Sequence, residues 1–117
     1  MQKEERIYLE HIVECIDSVK QYTDEIGTLE KMLVSPLYED AILRRIHVMS
    51  ESMLRLEEGT KQAMPEIPWK AIKNFRNLIV HGYLEVDMNK VWQLLTHDLP
   101  VLKKAVQRVL EEKYNGK

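Results

Sequence analysis

From about Lys3 to Ile26, apolar side chains recur at Tyr8, Ile12, Cys15, Val19, Tyr22 and Ile26, in steps of alternately four and three residues. That alternation keeps one stripe of a helix apolar over many turns, the seam of a long helix lying along a partner. Gly27 suits the end of such a helix. Thr28 to Val34 is long enough for a short helix. Ser35-Pro36 then restarts the chain, with serine as cap and proline in the first turn. Ile42, Ile46, Met49, Met53 and Leu56 repeat the four-three spacing, predicting a second long helix that runs to about Glu58 and is closed by Gly59. Residues 59–67, with Pro65 among them and Pro68 directly after, read as the one real linker.

A third amphipathic helix opens near Pro68-Trp69 and ends on His81, with Gly82 suited to the left-handed position just beyond. Past Tyr83 a short bend, Leu84-Glu85-Val86, leads to Asp87, a good cap for a helix carrying Val91, Leu94 and Leu95. Asp98-Leu99-Pro100 reads as a second cap, with proline entering a last helix whose apolar face holds Leu102, Ala105, Val106, Val109 and Leu110. Tyr114 to Lys117 reads as a frayed tail. Internal repeats, low-complexity tracts and convincing strand patterns are absent from the sequence. The pattern predicts an all-α, up-and-down helical bundle of four to five helices, two of them long.

Composition agrees with the pattern. The 117 residues fit one domain spanning 1–117, 44% hydrophobic and 31% charged, with four Gly and four Pro. A net charge of −2 argues against a protein that coats nucleic acid generally, so any polyanion site must be local. The single cysteine, Cys15, cannot form an internal disulfide, which fits a reducing cytoplasm. No apolar run approaches the ~20 residues of a membrane span, and Met-Gln-Lys-Glu-Glu-Arg does not read as a signal peptide. A soluble cytoplasmic protein is expected, with no membrane partner.

Candidate chemistry concentrates in Phe75-Arg76-Asn77-Leu78-Ile79-Val80-His81-Gly82-Tyr83. Arg76 and His81 are separated by about 140° around an ideal helix, so their backbones do not share a face. A long guanidinium and a helix-terminal imidazole can still converge on one small anion, and Asn77 is a surface neighbour of His81. A ring with an ordinary pKa of ~6.5 moves protons near neutrality. A guanidinium holds a phosphate oxyanion through paired hydrogen bonds. Those parts suffice for RNA cleavage by its own 2′-hydroxyl, His81 moving the proton and Arg76 holding the developing charge. No carboxylate cluster suited to magnesium accompanies them, which favours a route without metal or cofactor. Lys70, Lys73 and Arg76 form a modest basic strip, so Lys70 and Lys73 are candidate RNA contacts.

Each signal has a plainer structural reading. His81 can be a last-turn histidine stabilised by the helix dipole, with Arg76 and the lysines merely solvated. The remaining histidines carry less. His11 flanks the apolar seam of the first helix and suits a half-buried packing role. His47 precedes Glu51 by four residues and suits a helix-surface pair better than a metal site. His97 falls at a helix end, where a cation is favoured.

Ile67-Pro68-Trp69-Lys70 through Arg76-Asn77-Leu78-Ile79-Val80-His81-Gly82-Tyr83, then Val86-Asp87, Val91-Trp92 and Asp98-Leu99-Pro100, resembles the HepT proteins of the HEPN superfamily. Tyr8-Leu9-Glu10 and the Ser50-Glu51 helix extend the resemblance over nearly the whole chain. It implies a homodimeric all-α bundle acting as a metal-independent endoribonuclease, the toxin of a type VII toxin–antitoxin pair. Arg76 and His81 would be the catalytic pair, with Asn77 as polar neighbour. Tyr83 matches the tyrosine to which a cognate minimal nucleotidyltransferase attaches AMP, placing a bulky anion two residues from His81. RNA and that antitoxin are the implied partners, and DNA is not. Ser50-Glu51-Ser52 departs from the commoner Gly-Glu-Ala, with serines able to widen a helix contact slightly, and His47 stands where an acidic residue is frequent.

Two other functions fit the same residues. A non-catalytic dimeric module that partners the nucleotidyltransferase and accepts nucleotide on Tyr83 suits the acidic net charge. A purely structural helical adaptor needs nothing from Arg76 or His81.

Overall fold

Two long helices form where the four-three spacing predicts them. The first, α1 (Gln2–Ile26), stops at Gly27, whose φ of +88° is a left-handed conformation open to glycine at no steric cost. A one-turn helix, α2 (Leu29–Leu33), follows with Thr28 as its cap, and α3 (Pro36–Leu54) starts on the Ser35 cap with proline in its first turn. The computed structural model describes residues 2–82 and 86–115, and every regular element among them is helical. Three further stretches complete it: α4 (Glu58–Gln62), α5 (Trp69–His81), and α6 (Met88–Gln93) running through a wide turn into α7 (Leu99–Leu110).

The core forms where α1 packs between α3 and α7. Ile12, Cys15, Ile16 and Val19 meet Ile42, Ile46, Met49 and Met53 on one side and Leu102, Ala105, Val106 and Val109 on the other, all buried. Each such aliphatic side chain contributes about 2 kcal/mol relative to exposure. Two long rods side by side make the shape elongated, 46 × 28 × 21 Å. By contrast α5 lies on the flank of α3. Ile79 is its buried residue, while Ile72 and Phe75 pack half-buried, so most of its surface faces outward.

Several boundaries differ from the sequence expectation, each for a physical reason. The second long helix ends at Leu54, not near Glu58, and tightens through Arg55 and Leu56, whose N–H groups donate to Ser52 and Met53 at 3.2 Å. The N–H of Glu57 then donates to the buried Glu5 carboxylate at 2.8 Å, which draws the chain out of the helix. Gly59 therefore sits inside α4 and closes nothing, and the expected linker holds a helical turn. Gly82 has φ −136°, not a left-handed value, and its N–H still donates to Leu78 at 2.7 Å.

Asp98 is helical and caps nothing, so the two last predicted helices are continuous. Pro100 has no N–H to give Thr96 and its ring would clash there, and the helix absorbs this as a π turn over Leu94–Asp98, with the Leu99 N–H reaching back to Leu94. His97 accordingly lies within that turn and not at a helix end. Tyr114 is not frayed: helical structure reaches Asn115, and the Tyr114 hydroxyl donates to Glu5 at 3.4 Å.

Candidate active site

α5 is fixed at its start by apolar and polar contacts together. Met64 and Ile67 are buried just before it, and the Trp69 indole N–H donates to the Met64 carbonyl at 3.2 Å. Arg108 of α7 clamps the same stretch, donating to Glu66 at 2.7 Å and to the Ala63 carbonyl at 2.8 Å. Along the helix beyond, Lys70, Asn74, Asn77 and His81 step by four, three and four residues, which aligns them on one outward face.

Arg76 leaves that face and turns to α3. Its Nε donates to Glu51 Oε2 at 2.6 Å and its NH1 donates to Asn77 Oδ1 at 2.8 Å. The Arg76 and Glu51 side chains remain 30% and 36% exposed, so the pair is open to a dissolved anion. The hydrogen bond from Arg76 holds the Glu51 carboxyl below its ordinary pKa against a small opposing effect of burial, with His47 and Arg55 adding to the pull. His47 Nε2 lies 3.5 Å from the same Glu51 Oε2. The expected helix-surface pair of His47 and Glu51 is present, and Arg76 completes it as a triad.

His81 is the last residue of α5, exposed, and makes no hydrogen bond or ion pair among the described residues. Arg76 and His81 thus start on different flanks, and Asn77 is bonded to the first and shares a helix face with the second. Its backbone lies one turn before His81 on the same face, and its amide oxygen is bonded to the guanidinium.

Lys70 and Lys73 are exposed as expected, but they do not gather at Arg76. They line a shallow groove toward α4 with Lys61, Gln62, Pro65 and Trp69, where the Lys61 ammonium sits 5.9 Å from the Trp69 ring centre. Tyr83, the expected AMP acceptor, lies outside the described residues. His11 has the predicted half-buried role, bonded through Nδ1 to Ser52 Oγ at 2.6 Å and through Nε2 to Cys15 Sγ at 3.4 Å. Ser50 and Ser52 are buried, and Ser50 donates to the His47 carbonyl at 2.7 Å, so both serines are satisfied in the packed helix. Among the described residues no buried side-chain polar atom lacks a partner.

Sequence reasoning missed the Glu51–Arg76 contact. The two residues are 25 positions apart and meet because α3 and α5 pack together, which no spacing rule reports.

The chain is a small all-α bundle that carries a guanidinium, an amide and an imidazole along one peripheral helix. More specifically, the chain belongs to the ribonuclease HepT-like family, whose model matches residues 12–109. It is 31% identical over 96% of its length to "Gamma-glutamylcyclotransferase and putative RNase MJ0434" of Methanocaldococcus jannaschii, and spans 50% of that protein. It is 28% identical to "Probable ribonuclease HepT" of Thermococcus cleftensis, over 93% of this chain and 98% of that one. A third relative, "Putative RNase TTE0752" of Caldanaerobacter subterraneus, is 26% identical over 94% of this chain and 97% of its own. No solved structure matches the chain at a significant level. No helix among the described residues is long and apolar enough to cross a membrane.

Proposed function

We propose that this protein is an endoribonuclease of the HepT type, a single HEPN domain that cleaves RNA without a metal and acts as the toxin of a toxin–antitoxin pair. The observation that carries the reading is the Arg76–Asn77 hydrogen bond of 2.8 Å, which ties the guanidinium to the face that ends on His81. In this reading the RNA 2′-oxygen attacks the adjacent phosphorus and the P–O bond to the next ribose breaks. Neutral His81 takes the 2′-hydroxyl proton. Arg76 stabilises the charge that builds on the phosphate oxygens, with Asn77 holding its fork in place. The products are a 2′,3′-cyclic phosphate and a free 5′-hydroxyl, which needs a proton for the leaving oxygen. A two-fold mate bringing a second His81 to the same cleft would supply it, which is the chemical reason to expect a homodimer.

Lys70 and Lys73 suit the flanking phosphates, reached through the groove they share with Lys61. AMP on Tyr83, added by a cognate nucleotidyltransferase, would set an anion two residues from His81 and repel the substrate. The test is cleavage of RNA in EDTA by purified protein, abolished by His81→Ala with the helical circular dichroism unchanged. Cleavage that survives the substitution overturns the reading. Intact-mass analysis with the nucleotidyltransferase and ATP tests Tyr83 separately, since an adenylyl group elsewhere rules that residue out.

The alternative, a non-catalytic partner of the nucleotidyltransferase, draws on one observation of its own: the Arg76 guanidinium is already neutralised by Glu51. It predicts nucleotide transfer to Tyr83 with no RNA cleavage under any condition.

A further inference from the structure

We propose that His47 is a positioning residue that sets, through Glu51, the charge that Arg76 offers to an RNA phosphate. The inference rests on the reading that Arg76 is the phosphate clamp. Its basis is a shared atom: Glu51 Oε2 accepts from Arg76 Nε at 2.6 Å and lies 3.5 Å from His47 Nε2. With His47 neutral, carboxylate and guanidinium cancel, and an approaching phosphate meets a site of no net charge. With His47 protonated, the three groups carry one positive charge in all. The imidazolium also competes for the lone pairs of Oε2, loosening the hold of Glu51 on Nε and freeing that edge of the guanidinium. His47 is 27% exposed on its side chain, so water reaches it and its charged form is partly solvated.

Several other charged and titratable groups near α3 have partners of their own. From α5 the facing charge is Arg76, while Lys73 turns to the α4 groove. At the end of α3, Arg55 adds to the pull on Glu51 and bonds the Tyr8 hydroxyl of α1 at 3.4 Å. From α1, His11 is held by Ser52, Cys15 and Tyr22 lie against Arg45, and Glu25 accepts from Tyr38 at 2.8 Å. None of these is bonded to His47, whose proton is therefore felt chiefly at Glu51 and, through it, at Arg76.

The direction follows from the charge. Affinity for RNA strengthens at low pH, where an imidazole carries its proton. His81 is an imidazole as well, so the measurement is made in His81→Ala, where cleavage and that charge are both removed. Binding of a short single-stranded RNA to His81→Ala is expected to be about five- to tenfold tighter at pH 5.5 than at pH 8, the effect of one added charge beside a phosphate. Adding His47→Gln, or separately Glu51→Gln, is expected to remove most of that dependence. Equal pH dependence with and without His47→Gln overturns the proposal. A second arm needs no RNA: in the wild-type chain the Arg76 Nε–H proton resonance should move between pH 8 and 5.5, and stay still in His47→Gln. An unmoved Arg76 resonance in wild type overturns the coupling even if the nuclease reading holds. A moving resonance in a protein that cleaves no RNA supports the coupling and counts against the nuclease reading alone.

Discussion

Arg76 spends its hydrogen-bonding capacity on two neighbours, Glu51 and Asn77, and each bond uses a different nitrogen of the same rigid fork. Lysine carries the same charge but is a point donor on a flexible stem and cannot make both contacts with one fixed plane. Arg76→Lys is therefore expected to lower RNA cleavage on the order of 10²-fold, the scale of losing one oriented charge stabiliser, with unfolding unchanged within about 0.5 kcal/mol. Initial rates on a defined RNA together with a denaturation curve check both halves. Asn77→Ala breaks the link between the guanidinium and the His81 face while leaving both proposed catalytic groups present. Its expected signature is a fall of about tenfold in kcat with little change in KM, because orientation and not attraction is lost. Neither role can be read from residue type. The motif named Arg76, Asn77 and His81, but that Arg76 takes Glu51 as its partner was settled by the packing of α5 on α3.

At the scale of elements, the sequence spoke clearly wherever one helix is described by its own residues. The Ser35-Pro36 start, the Asp87 cap and the Gly27 stop are where local chemistry places them. Gly27 lies at φ +88° with open space where a Cβ would project, so its constraint is backbone conformation alone. Gly27→Ala is expected to lower stability by about 1 kcal/mol, seen as an earlier denaturation midpoint with an unchanged slope. The boundaries that moved did so through groups remote in sequence or through competition between local rules. Glu5 ended α3 early by accepting the Glu57 N–H, and at Pro100 helix continuity prevailed over the Asp98 cap through a π turn. A proline is a stop signal in isolation, whereas a helix already packed along α1 loses less by widening one turn than by ending.

Across the whole molecule, Glu5 gathers the two ends of the chain. It is 3% exposed, accepts from the Glu57 N–H and from Tyr114, and pairs with Lys113, which also donates to Thr60 at 2.9 Å. Burial alone would raise its pKa. The Glu57 N–H, Thr60 and Lys113 outweigh that and hold it below the ordinary carboxylate value. A lowered folded pKa means the contribution is present above the unfolded value and is lost as pH falls through the folded one. Glu5→Ala is expected to cost about 2 kcal/mol at pH 7, since it leaves the part-buried Glu57 N–H without its acceptor and removes the carboxylate that Lys113 pairs with. The gap from wild type should shrink on acidification below pH 4, measured by urea unfolding at several pH values.

The amino-acid order alone determined that this chain is helical, where the two long helices run, which stripe of each is apolar, and which helix end carries Arg76, Asn77 and His81. These are properties of side chains within a few residues of one another, repeated every three or four positions, and a sequence records them directly. The tertiary structure decided that Glu51, already paired with His47 along its own helix, also meets Arg76, that Lys70 and Lys73 turn toward α4, and that Glu5 is buried between the ends of the chain. Each depends on how one helix is rotated and set against another, and that is fixed by the fit of whole apolar faces remote from one another in sequence, not by any spacing inside a single segment.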